Sequence, residues 1–297
     1  MQLNPDNRAL IRQLFGWWEL DQITPEAIVQ IAASMDVRLD ATQLRLKSPW
    51  KSFKIVEIFR KDGTPLFYLK ELWEMNYVRE ILAMEIAQIL DPELSMPQYA
   101  FGTFKTGLFK QIKAFLLTSW IAGKPITKND ALTYAYALGR QYEFGRWLCL
   151  YDCHPRHYFL QSDGSLRRID YGLAFSKFQK KYEGYADIWP KELFTHTDFL
   201  AGIKYEYSKI HARFEVGQDR IFDICRQFSQ LQRDDLIDFD TTRFFEQLVA
   251  YWQREAIINE NGCLISPYSF LHSPIDTAQP DACPWEPANF EKKPKKL

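Results

Sequence analysis

Charge of one sign is what this chain most plainly lacks: 37 Lys and Arg stand against 38 Asp and Glu in 297 residues, a formal net charge of -1. That balance supplies no general pull toward nucleic acid or anionic lipid. Nucleic acid is therefore not an expected partner, and any ligand must be argued from a site. Cysteine is sparse as well. Cys149, Cys153, Cys225, Cys263 and Cys283 form an odd, scattered set with no Cys-x-x-Cys pair, which indicates neither a disulfide framework nor a zinc knuckle. Cys149 and Cys153, at helical spacing, read as a reduced buried pair. No apolar run approaches a membrane span. The opening MQLNPDNRALIRQLF has no basic region, long apolar run or small-residue cleavage site. A cytoplasmic protein with no transmembrane segment is the expectation.

What the chain does have is aromatic and apolar mass. Hydrophobic residues make up 46% and aromatics 15%, enough for one large domain, or for two lobes with a cleft between them. Trp17, Trp18, Trp73, Trp147, Trp189 and Trp252 sit mostly at helical spacing among apolar neighbours and read as core.

The periodicity changes along the chain. Residues 4–33 carry two helical patterns, the second starting at Thr24-Pro25-Glu26, and predict an N-terminal helical cap over 1–40. Strand patterns follow at 42–46, 53–60 and 65–69, the last two joined by the turn Lys61-Asp62-Gly63-Thr64. A helix is predicted over 76–90, closed by Asp91-Pro92, and strands over 99–103 and 107–117. Gly123 and Pro125 then break the pattern. They divide a small sheet lobe with one helix, 41–122, from a mainly helical lobe, 123–272. Helices are predicted there over 131–150, 198–214, 218–231 and 241–258, and 273–297 forms a tail rich in proline and charge. The fold class is α+β, with a small antiparallel-sheet lobe beside a larger helical lobe.

The most informative stretch is 150–175, LYDCHPRHYFLQSDGSLRRIDYGLAF. Residues 158–160 and 166–169 are short β-prone runs around Ser162-Asp163-Gly164, a hairpin turn. The hairpin brings Asp152, ahead of its first strand, close to Asp170, just after its second. One carboxylate can orient or deprotonate an acceptor hydroxyl while the other holds a divalent cation against phosphates. Upstream, alternation points Tyr68 and Lys70 to one strand face and Phe67 and Leu69 to the other. A strand lysine facing a cleft can grip phosphates. Glu80, ten residues on, opens the following helix and can hold that lysine extended, with Glu85 as its competitor.

Strand lysine, helix glutamate, apolar strand, Gly-Pro break, helix, Asp152, hairpin, Asp170: in this order the chain resembles the protein kinase-like superfamily over roughly 42–175. Asp152-Cys-His-Pro-Arg-His157 is similar to the Asp-x-His-x-x-Asn loop of bacterial small-molecule and lipid-type kinases. Ile169-Asp170-Tyr171-Gly172 is similar to their metal-binding Asp-x-Gly turn. The helix from Arg79-Glu80 resembles that of the branch related to phosphatidylinositol 3-/4-kinases and HipA-like bacterial kinases, a register that favours Glu80 over Glu85.

The resemblance implies a bilobal kinase-like fold and transfer of the γ-phosphate of ATP, with Mg2+ or Mn2+, to a hydroxyl of a protein, sugar or lipid headgroup. It implies that Lys70 contacts phosphates, Glu80 braces it, Ser119 and Trp120 lie near the adenine hinge, Asp152 is the catalytic base and Asp170 binds the metal. It also places His154 in support of the catalytic loop.

Two departures stand out. His157 occupies the usual asparagine position, and can be a metal ligand, a phosphate contact or a structural residue of the hairpin. The phosphate-covering loop, 47–53, has no glycine, leaving Lys51 and Ser52 as side-chain donors or as ordinary loop residues. These departures keep two other functions open: a pseudokinase that binds nucleotide or scaffolds without turnover, and an adenylyl transferase on the same fold. After the metal turn, Tyr185 and Trp189 are expected to shape the acceptor side.

Overall fold

The computed structural model describes residues 5–47, 55–72, 77–95, 98–106, 111–175, 178, 188–231, 241, 243–255 and 257. Its N-terminal segment holds helix α1 (Pro5–Phe15), strand β1 (Trp18–Leu20) and helix α2 (Pro25–Ser34). Thr24 caps α2 by accepting the Ala27 N–H at 3.2 Å, and Pro25 fills the first turn, where no N–H is needed. β1 is a departure from the helical cap expected there. Its three residues are too few to show an alternation, and they pair in parallel with a later strand.

Strands β2 (Leu44–Lys47), β3 (Ile55–Arg60), β4 (Pro65–Leu72), β5 (Tyr99–Thr106) and β6 (Gln111–Ser119) complete a six-stranded sheet of order β1-β5-β6-β4-β3-β2. Every pairing in it is antiparallel except β1 with β5. The two faces diverge by alternation. Val56, Ile58, Phe67, Leu69, Phe115 and Leu117 are buried with Ile28, Ile31 and Ala32 of α2. On the opposite face, Leu72 and Leu116 pack with helix α3 (Tyr77–Leu90), whose Ile81, Leu82 and Ile86 are fully buried. Tyr68 and Lys70 share this second face.

The rest is mainly helical: α4 (Ala135–Trp147), α5 (Thr197–Phe228) and α6 (Phe244–Arg254), with a small antiparallel sheet of β7 (Lys124–Pro125), β8 (Tyr158–Leu160) and β9 (Leu166–Arg168). The architecture is α+β, with a mainly antiparallel sheet and six α-helices among the described residues. Helices α4 and α5 cross with their backbones in contact. A Cβ on Gly139 would lie 2.0 Å from the Phe199 carbonyl oxygen, and one on Gly202 would lie 2.1 Å from that of Tyr136. Only glycine permits so close a crossing.

A similar reason corrects the expected break between 198–214 and 218–231, which is one helix of 32 residues. Gly217 does not end it. A Cβ there would stand 2.6 Å from Ile89 Cγ2 of α3, so the glycine serves the approach of two helices. Trp147 and Trp252 are fully buried and tilted against each other, as core aromatics. Cys149, Cys153 and Cys225 are buried free thiols. No helix among the described residues is long and apolar enough to cross a membrane.

Candidate active site

β4 brings Lys70 and α3 brings Glu80 to one place. Lys70 Nζ donates to both carboxylate oxygens of Glu80, each at 3.2 Å. Glu80 is almost wholly buried, whereas the Lys70 side chain keeps about a third of its surface exposed. Glu85 is engaged elsewhere, accepting the Tyr99 hydroxyl at 2.8 Å. Of the two glutamates, Glu80 is therefore the partner of Lys70.

The second half of the site comes from the hairpin. β8 and β9 pair with Tyr158 opposite Arg168, and Gly164 turns the chain with φ +80° while Asp163 Oδ1 accepts the Ser165 N–H at 2.9 Å. Beyond β9, the Ile169 N–H donates to the His157 carbonyl at 2.9 Å. Asp170 then adopts the left-handed conformation, φ +67°, which asparagine and aspartate tolerate better than other side chains and which clusters at functional sites. The outcome is a contact across 100 residues of chain: Lys70 Nζ lies 3.0 Å from Asp170 Oδ1. The Gly172 N–H also reaches Asp170 Oδ1, at 3.4 Å. A Cβ there would lie 3.4 Å from Asp170 Oδ1 and 3.5 Å from Glu80 Oε2.

Three charges so close shift one another. Burial works to lower Lys70, but the carboxylates of Glu80 and Asp170 outweigh it and hold the ammonium above its ordinary value. Burial works to raise Asp170, and the Lys70 charge overcomes it, so Asp170 stays below the usual carboxylate range. Glu80 is pushed up, by burial first; Lys70 and the Tyr171 N–H pull it part of the way back. His157 is pushed down, chiefly by burial, and is a neutral imidazole near neutrality.

Asp152, His157 and Asp170 each bring one ligand-type atom within 4.8 Å of the others. Two carboxylates and an imidazole are a donor set that could hold a metal ion. His157 is the qualified member. Its Nδ1 lies 3.2 Å from the Asp152 carbonyl oxygen, while Nε2 accepts from Arg156 Nε at 3.2 Å. Either nitrogen must give up a partner before it can ligate.

Three further residues hold the Asp152 loop in place, of which Arg168 alone carries no signal in the sequence. Arg168, fully buried at the end of β9, donates to the Asp152 carbonyl and, at 2.7 Å, to the Tyr158 hydroxyl. In sequence it is half of an Arg-Arg pair that looks solvent-facing. Trp189 is buried, and its indole N–H donates to the Cys153 carbonyl at 3.0 Å. It thus ties the segment 188–189 to the loop that carries Asp152. His154 supports the same turn through Nδ1, which accepts the Arg156 N–H at 3.4 Å.

At the end of β6 the backbone is tied to neighbouring segments. The Ser119 N–H donates to the Gln98 carbonyl at 3.0 Å and the Trp120 N–H to that of Leu66 at 2.8 Å. The Ser119 hydroxyl is buried, with no hydrogen-bond partner among the described residues. Trp120 instead offers its ring, stacked on Tyr68 at 4.3 Å and 10° between planes, with Phe59 tilted at 5.8 Å. Tyr68 stands two residues before Lys70 on the same strand face. Lys51, Ser52, Trp73, Tyr185, Cys263, Cys283 and the tail 273–297 lie outside the described residues. No protein-family model and no curated protein matches the chain.

Proposed function

We propose that this chain is an ATP-dependent phosphotransferase with a bilobal protein kinase-like architecture, akin to the phosphatidylinositol 3-/4-kinase and HipA branch and working in the cytoplasm. The acceptor is a hydroxyl on a protein, sugar or lipid headgroup. The observation that carries the reading is the convergence of Lys70, Glu80 and Asp170, drawn from β4, α3 and the turn after β9, beside Asp152 and His157.

The chemistry follows from the roles these groups can play. The Lys70 ammonium, kept charged and held extended by Glu80, presents donors to nucleotide phosphates. Asp170, kept ionised, would hold Mg2+ or Mn2+ with Asp152 or His157; the cation supplies charge neutralisation at the phosphates. Asp152 keeps roughly a third of its side chain exposed and can orient an incoming hydroxyl and take up its proton. Its backbone is held by Arg168 and His157, so the carboxylate is presented from a fixed loop. The stacked Tyr68 and Trp120 rings give a nucleobase an apolar surface near the phosphate-gripping lysine.

The test is transfer of label from ATP carrying it at the γ- or at the α-phosphate, with Mg2+ or Mn2+. Transfer from the γ-position supports phosphoryl transfer. Label only from the α-position would move the chain to adenylyl transfer. One observation favours a nucleotide-binding protein without turnover: both His157 ring nitrogens are engaged within the loop. Metal-dependent ATP binding with no transfer of either label would establish that second reading.

A further inference from the structure

Helix α3 is held at both ends. Glu80 in its first turn meets Lys70, and Asp91, which follows its last residue, is fully buried among cations. Asp91 Oδ1 accepts from Arg213 Nη1 and from the Glu93 N–H, both at 2.8 Å. Its Oδ2 accepts from Lys209 Nζ at 3.0 Å and lies 3.4 Å from Arg140 Nη2. One carboxylate is thereby fastened to Arg140 of α4 and to Lys209 and Arg213 of α5. An apolar contact fixes the same turn. Ile89 stands so close to Gly217 of α5 that a Cβ on the glycine would lie 2.6 Å from Ile89 Cγ2.

The body to which this end is fastened also carries the other half of the site. Arg140 Nε donates to Glu206 Oε2 at 2.7 Å, joining α4 to α5 beside their glycine crossing. Gln141, the next residue of α4, is buried and donates from Nε2 to the Leu166 carbonyl of β9 at 2.6 Å. The hairpin that leads to Asp170 is therefore held by the helix that also holds α3.

We propose that Asp91 is a positioning residue: by fastening the last turn of α3 to α4 and α5, it sets where Glu80 stands and so where Lys70 Nζ is held. Only the effect on transfer rests on the phosphotransferase reading; the fastening of α3 does not. The geometry is that of a lever. Glu80 and Asp91 are eleven residues apart, about 16 Å of helix. A tilt of about 5° at the Asp91 end would carry Glu80 roughly 1.4 Å, taking its carboxylate out of hydrogen-bond range of Lys70.

Two variants loosen this end by unrelated means. Asp91→Asn keeps the size of the side chain and removes the charge that the three cations face. Gly217→Ala drives a methyl against Ile89 and, inside α5, favours the helix itself. Amide hydrogen exchange of the full chain without ligand is the first readout. Exchange over 77–84 should quicken by about tenfold while the hairpin, 158–168, keeps the rate of the unsubstituted chain.

Kinetics give the second readout. Each variant should lower kcat/KM for ATP by about tenfold, and neither should lower it further once Glu80→Gln is present, because the effect passes through Glu80. Unchanged exchange over 77–84 in both variants, a rise shared equally by the hairpin, or a kinetic loss that adds in full to that of Glu80→Gln would overturn the assignment. Gly217→Ala carries the test alone should Asp91→Asn not fold. An unsubstituted chain that transfers nothing from ATP would sink the phosphotransferase reading, and the exchange result would then decide the role of Asp91 by itself.

Discussion

Lys70 and Asp170 are 100 residues apart in the chain and 3.0 Å apart in space, and Glu80 holds the same ammonium from the other side at 3.2 Å. One cation thereby ties the sheet, α3 and the hairpin turn to a single point. If that point grips phosphate, Lys70→Met should fold and lower kcat/KM by about 10²-fold or more, as loss of a charge-stabilising donor does. Glu80→Gln should lower it less, because Asp170 still fixes the lysine. Steady-state kinetics with ATP as the varied substrate check both.

On the proposed function, Asp152 should separate binding from chemistry. Asp152→Asn keeps the size of the side chain and removes a proton acceptor, so nucleotide affinity should change little while kcat falls by about 10²- to 10⁴-fold. Calorimetric ATP titration beside single-turnover transfer gives the two values. An equal fall in both would move Asp152 from base to binding group.

Arg156 controls how far His157 is available. Arg156→Ala frees Nε2 of His157, and Mn2+ affinity should rise by about tenfold if the imidazole joins the ligand set, a size typical of groups next to a metal ligand. His157→Asn should preserve Mg2+-dependent turnover or improve it. Electron paramagnetic resonance titration of Mn2+ reads the first expectation, and transfer assays in Mg2+ read the second. A His157→Asn variant unchanged in metal binding and in turnover would leave His157 a structural residue of the hairpin.

The buried clamp beneath the loop should weigh on stability as well as rate. Arg168→Leu removes a guanidinium that holds the Asp152 carbonyl and the Tyr158 hydroxyl, leaving both without that donor. Leaving a buried polar group without its donor costs about 1–3 kcal/mol. Urea unfolding checks the number, and Trp189→Phe, which removes one hydrogen bond to the Cys153 carbonyl, should cost about 1 kcal/mol.

Much of this is legible in the amino-acid sequence. The hairpin around Ser162-Asp163-Gly164, the strand bearing Lys70 and the helix opening at Glu80 are local patterns of two and 3.6 residues, and they formed at the expected places. Glu80 was distinguishable from Glu85 only through the helix register of the resemblance; the structure adds the physical reason, the Tyr99 hydroxyl on Glu85. What stayed hidden is non-local. β1 is a strand only because β5 lies beside it, and Arg168 is buried only because the Asp152 loop folds over it. Gly217 falls between the two predicted ranges and is a contact glycine because Ile89 is opposite. The Tyr68 and Trp120 stack depends on a pairing, Tyr68 opposite Thr118, that no sequence window contains.

The measurement that bears most directly on the central claim is thermal stability of the full chain with ATP, with and without Mg2+ or Mn2+, beside Asp170→Ala. A nucleotide site built on Lys70 and Asp170 should give a rise in Tm with ATP and divalent ion together, equivalent to about 2.7 kcal/mol at a hundred times Kd, and none in the alanine variant. No rise with ATP under any divalent ion, in a chain that folds normally, would contradict it.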